Sequence, residues 1–158
     1  MKKILLITIC AFVASLSSFA QMPQTSPLES GDVEKFIKTY DPLKKDMEAL
    51  GEDFENAKDY NTMMALAANE KVQSIFKKHG WSDQYIGKLM TISMGYAIIN
   101  SEKEIAKMSE EDRKESKQYM QAYMTQMKTM VTEDDLEQIK KNYDQLNIIF
   151  IKEENEDY

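Results

Sequence analysis

Apolar residues recur at steps of three and four through most of this chain, and no stretch alternates with period two for long. The pattern predicts helices and no sheet. Val33, Phe36, Ile37, Tyr40, Leu43, Met47 and Leu50 trace one helix face. Asp41-Pro42 interrupts the run. Proline suits the first position of a helix, with Asp41 as its cap, so a kink or a restart is expected there. Gly51 ends this element, and residues 52–59 read as a loop. A second helical region begins after Asn61 with Met63, Met64, Leu66 and Ala67. Asn69 can interrupt it and cap a further turn that holds Val72, Ile75 and Phe76. Lys77, Lys78 and His79 then sit where positive charge suits the helix dipole, and Gly80 is the expected left-handed terminator.

Three later helix starts carry their own signals. Ser82 can cap a helix, with Trp81 before it and Ile86 after it at the spacing of a hydrophobic staple. Ser109 to Asp112 and Thr132 to Asp135 both fit the Ser/Thr-x-x-acid capping pattern, and Val131 with Leu136 adds a staple at the second. Helices are therefore expected to begin near residues 83, 110 and 133. Residues 85–99 form the most apolar of these stretches and are expected at the centre of the fold. Gly87, Thr91 and Gly95 lie four apart on one side of it, where a neighbouring helix can approach closely. The expected fold is all-α: a single domain of about five or six short helices packed as an irregular bundle.

The N-terminus has a different pattern. Lys2 and Lys3 precede an apolar run of roughly a dozen residues, and Ser18-Phe19-Ala20 then supplies a small-residue cleavage site before Gln21. That is the layout of a secretory signal peptide over residues 1–20. The run is too short to span a membrane, which takes about 20 residues. Cys10 follows Ile9 inside the apolar run, not a small residue, so it does not fit a lipid-attachment site. Residues 21–31, with Pro23, Pro27, Ser26, Ser30 and Gly31, read as a flexible leader. Residues 32–151 read as the helical domain and 152–158 as an acidic tail.

Cleavage after Ala20 leaves 138 of the 158 residues and removes the only cysteine. Thiol nucleophiles, disulfides and zinc-thiolate sites are then excluded. It also removes two lysines, taking the net charge from −7 to −9. A chain so acidic repels nucleic acid phosphates and anionic lipid, so neither is an expected partner. After cleavage no stable membrane insertion is expected either.

Methionine is the compositional anomaly, with twelve in the chain. Met120, Met124, Met127 and Met130 fall within an arc of roughly 120° on one helix face. Three roles fit that face: adaptable core filler, an exposed surface for apolar clients, or a thioether site for copper(I). His79 is the single histidine and Trp81 the single tryptophan. His79, at a Lys-His-Gly helix end, reads as structural, and no serine or cysteine motif accompanies it as a catalytic partner. The acidic pairs Glu110-Glu111 and Asp134-Asp135 are accounted for by helix caps and dipoles, and no calcium-loop spacing is present. The Leu-Thr-x-x-Gln repeats of small periplasmic helical chaperones are absent. The nearest segments, at Val131-Thr132 and Met108-Ser109, lack the leucine and the glutamine.

These features predict an exported protein, periplasmic or extracellular. It is expected to be a non-enzymatic binding or interaction module of the cell envelope, with a protein or peptide partner, no cofactor and no dedicated metal site. The alternative is a Met-rich periplasmic copper(I) carrier. The binding candidates are Met120, Met124, Met127 and Met130.

Overall fold

In a computed structural model, residues 25–50, 68–82, 84–110 and 125–156 are described. They form an all-α structure of five helices: α1 (Asp32–Glu48), α2 (Glu70–Lys78), α3 (Tyr85–Lys107), α4 (Glu133–Lys141) and α5 (Tyr143–Glu156). Residues 125–128 are also helical. The chain divides into two compact units. One holds residues 43–50 and 68–82, the other residues 25–42, 84–110 and 125–156.

In the smaller unit, α2 has the expected ends. The Asn69 side chain accepts from the Lys71 N–H at the N-terminus. At the other end His79 is the C-cap and Gly80 adopts φ +79°. The Gly80 N–H then reaches the Lys77 carbonyl and the Trp81 N–H reaches the Phe76 carbonyl. This is a Schellman closure, which satisfies two carbonyls the helix would otherwise strand. Trp81 therefore terminates α2, and both it and Phe76 are buried.

α1 departs from expectation. It runs through Asp41-Pro42 without a restart. Pro42 and Lys38 are both exposed. The Lys38 carbonyl that Pro42 cannot bond therefore lies on the solvent side, where water can satisfy it. α3 begins two residues later than expected, with Gln84 at the N-cap and no side-chain cap bond, and Ser82 is exposed. Asp83, Gly51, residues 52–67 and most of the helix expected after Ser109 lie outside the described residues.

The larger unit is built on α3, which packs against α4 and α5. Ile92, Ile98, Ile139 and Leu146 are almost fully buried, and each contributes about 1.5–3 kcal/mol by leaving water. Gly95 gives α4 its close approach, since a Cβ there would run into the Ile139 side chain. α4 starts with the predicted capping box, in which the Thr132 hydroxyl receives the Asp135 N–H and the Asp135 carboxylate receives the Thr132 N–H. A break that the pattern does not announce falls at Asn142. There α4 ends, and the Asn142 carbonyl accepts from the N–H groups of Gln145 and Leu146 to open α5.

Residues 25–31, expected to belong to a flexible leader, are instead tied down. The Ser26 N–H donates to the Gly87 carbonyl at 3.1 Å. The Thr91 hydroxyl donates to the Ser26 carbonyl at 2.7 Å. The Leu28 N–H donates to Asp135 Oδ1 at 2.8 Å, and the Thr25 hydroxyl to the Met130 carbonyl at 2.8 Å. Gly87 thus admits an extended segment, where a neighbouring helix was expected, and a Cβ at this position would collide with Ser26.

Candidate functional site

Of the four methionines singled out by spacing, two can be placed. Met127 is buried in a core cluster with Met94, Ile98 and Val131, and Met130 packs half-buried against the same cluster. Both act as the adaptable filler that a flexible thioether allows. Met120 and Met124 lie outside the described residues, as does Cys10.

His79 lies where the dipole suits it. Its Nε2 is 2.7 Å from Asp46 Oδ2, and the Lys78 ammonium lies 2.7 Å from the same oxygen. An ionised carboxylate only accepts, so Nε2 is the donor. The hydrogen bonds from Lys78 and His79 hold the Asp46 carboxyl below the usual carboxylate range. The arrangement clips the C-terminal end of α2 to α1 within the smaller unit. Among the described residues no group of three or more His, Cys, Asp or Glu side chains is placed to hold a metal.

The larger unit contains an ionic anchor that the sequence pattern does not mark. Lys88 interrupts the apolar face of α3, and its ammonium is 2.8 Å from Asp32 and 3.3 Å from Glu29. The Lys88 and Asp32 side chains are 3% and 2% exposed. Asp32 also accepts the Glu29 N–H at 2.8 Å and is 3.3 Å from Lys35. Burial pushes the Asp32 carboxyl up. The hydrogen bonds from Lys88, the Glu29 N–H and Lys35 outweigh that and hold it below its usual value. Burial likewise pushes Lys88 down, and its bonds to Asp32 and Glu29 outweigh it and raise it. The nearest sequence signal is a lysine inside an otherwise apolar helical run. A buried lysine needs a carboxylate, and an acid beside the buried Val33 is a candidate.

A row of rings crosses α1, α3 and α5 in the larger unit. Tyr40 meets Phe36 edge-on at 5.6 Å, and Phe36 stacks on Phe150 at 6.1 Å. Phe150 stacks on Tyr96 at 4.4 Å, and Tyr96 on Tyr143 at 5.5 Å. The phenols are held in turn: Tyr96 donates to Asn147, and Tyr143 to Asn100. The Lys103 ammonium sits 3.2 Å from the centre of the Tyr143 ring, a cation–π contact. The opposite side of α5 presents Ile148, which is 68% exposed.

Chemically, the described groups can anchor, cap and stack. Asp32, Lys88 and Asp135 are each engaged in holding backbone or one another. No family model, curated protein or solved structure matches the chain.

Proposed function

We propose that the chain is an exported protein of the cell envelope, periplasmic or released, that works by binding a protein or peptide and not by catalysis. Export is supported by the basic, apolar and small-residue succession over residues 1–20. Binding is supported by one observation above others. α5 packs one side through Leu146 and Phe150 and turns Ile148 out to water. Ile148 and Ile151, 68% and 44% exposed, lie one turn apart on α5, and a partner that covered them would remove both from water. Carriage of copper(I) by thioethers has less support, because Met127 and Met130 pack in or against the core.

The test is recovery of partners from an envelope fraction with the wild-type chain and with Ile148→Asp. A charge at so exposed a position changes stability by no more than about 0.5 kcal/mol. Partners retained by the wild type and lost by the variant are expected. An identical set from both removes the α5 face from the proposal. Export is checked separately by fractionation and N-terminal sequencing, with Gln21 as the expected first residue. Retention of residues 1–20 on a cytoplasmic product overturns it.

A further inference from the structure

We propose that residues 25–29 are an exchangeable strap, and that the groove they fill beside α3 and α4 accepts the same segment from a second copy of the chain, giving a strap-swapped dimer. The proposal goes beyond the binding role above and does not depend on it.

The groove is fitted to this segment. Gly87 has no Cβ where Ser26 lies, and a Cβ there would collide with it. Thr91 and Asp135 are buried, and they meet the Ser26 carbonyl and the Leu28 N–H. Leaving the groove empty takes from a buried carboxylate oxygen its N–H donor, which is costly, while the Thr91 hydroxyl keeps the Gly87 carbonyl at 2.9 Å as its acceptor. The strap of a second copy restores every one of these bonds. It also restores the Glu29 contacts to Asp32 and Lys88. The two arrangements differ only at the joint, which is the condition under which identical elements exchange between protomers.

The joint is Ser30-Gly31, exposed in both residues. Gly31 adopts φ +89°, and nothing lies within 4 Å of the place its Cβ would occupy. A side chain there therefore strains the closed turn through its backbone conformation alone, without a clash. Extending the joint in the swapped form releases that strain, once in each copy. In the unmodified chain the short joint keeps the strap's local concentration near the millimolar range, so the closed monomer dominates at micromolar protein.

The experiment is sedimentation of the wild type, Gly31→Val and the double variant Gly31→Val/Gly87→Val over micromolar to millimolar concentration. Left-handed strain in a β-branched residue is worth about a factor of ten per joint. The dimer constant of Gly31→Val is therefore expected to tighten about a hundredfold, into the range of tens of micromolar. The double variant, with its groove blocked, is expected to stay monomeric. Two results overturn the proposal: a helical Gly31→Val that stays monomeric to millimolar concentration, or a double variant that dimerises as tightly as the single one. If Gly31→Val does not fold, the unmodified chain decides. A synthetic peptide of residues 25–30 at millimolar excess is expected to lower hydrogen-exchange protection at the Ser26 and Leu28 amides severalfold. Unchanged protection there also overturns the proposal.

Discussion

α1 carries one acid near each end that meets a lysine at about the same distance, and the two pairs do different work. Asp32 and Lys88 are 2.8 Å apart, with side chains 2% and 3% exposed. Asp46 and Lys78 are 2.7 Å apart, 29% and 65% exposed. Distance alone would rank them equal. Burial separates them, because a desolvated charge depends on its partner while a hydrated one has water as an alternative. The first pair also holds the strap, through the Glu29 N–H on Asp32 and the Glu29 carboxylate on Lys88. The second is shared with His79 at a helix end.

The largest expected effect tests whether the buried pair is interdependent. Lys88→Met keeps most of the apolar stem of the side chain but leaves the buried Asp32 carboxylate with Lys35 as its remaining cation, beside the Glu29 N–H. Loss of one partner of such a pair costs about 3–5 kcal/mol, and the 3.3 Å contact to Lys35 places this case toward the lower end. Urea denaturation measures it. Adding Asp32→Asn to Lys88→Met removes the orphaned charge and keeps an oxygen for the Glu29 N–H, so the double variant is expected to regain most of the loss. If the double variant is as unstable as Lys88→Met, the penalty is lost packing, and the contrast between the two pairs is not electrostatic.

The next effect concerns the other buried acid. Asp135 closes the α4 capping box and accepts the Leu28 N–H, so Asp135→Ala removes a cap and one strap anchor together. Loss of a charged, buried acceptor costs about 1–3 kcal/mol. Hydrogen exchange should show the Leu28 amide losing protection before the α3 amides do. Equal loss at both sites would mean that the strap and the helices open together.

A pH series follows from the shifted groups. Asp32 is lower in the folded chain than its usual 3.8. Its contribution is therefore complete above about pH 4 and is lost as pH falls through the folded value. Lys88 is raised above 10.5. Its contribution is complete below that value and is lost as pH rises through the folded one. The pair thus predicts stability that is flat across neutral pH and falls at both extremes. In Lys88→Met the alkaline fall tied to this residue should disappear. Its persistence would assign that fall to other groups.

Three helix ends were legible because their chemistry is local, while the start of α3 and the break at Asn142 were not. Thr132 with Asp135, Asn69, and His79 with Gly80 each carry their partners within a few residues, and each cap forms where the pattern places it. The central position of α3 was legible from its run of apolar residues. The strap was not. Thr25, Ser26 and Pro27 have the composition of a linker, and their bonds reach Met130 and Thr91 at separations of 105 and 65 residues. Nothing in the local pattern announces such partners. Pro42 misled for the opposite reason: a strong local signal was overruled because the exposed side of α1 tolerates an unbonded carbonyl. For the methionines, spacing does not distinguish core from surface, and Met120 and Met124 lie outside the described residues. Met127 and Met130 were settled by packing against Met94, Ile98 and Val131.

The smallest effect is expected at Asp46, and it sharpens the comparison from the exposed side. The Lys78 and His79 hydrogen bonds lower its pKa, so its contribution, like that of Asp32, is present above about pH 4 and lost in acid. Salt should distinguish them. Charges in contact with water are screened by added electrolyte, which at 1 M shortens the screening length to about 3 Å, and buried pairs are screened far less. Asp46→Asn is therefore expected to lower the melting temperature slightly in dilute buffer and not at all in 1 M salt. The deficit of Lys88→Met should persist in both. If the two variants lose their deficits in parallel as salt rises, water reaches Lys88 and Asp32 in the folded chain, and burial is not what distinguishes the two ends of α1.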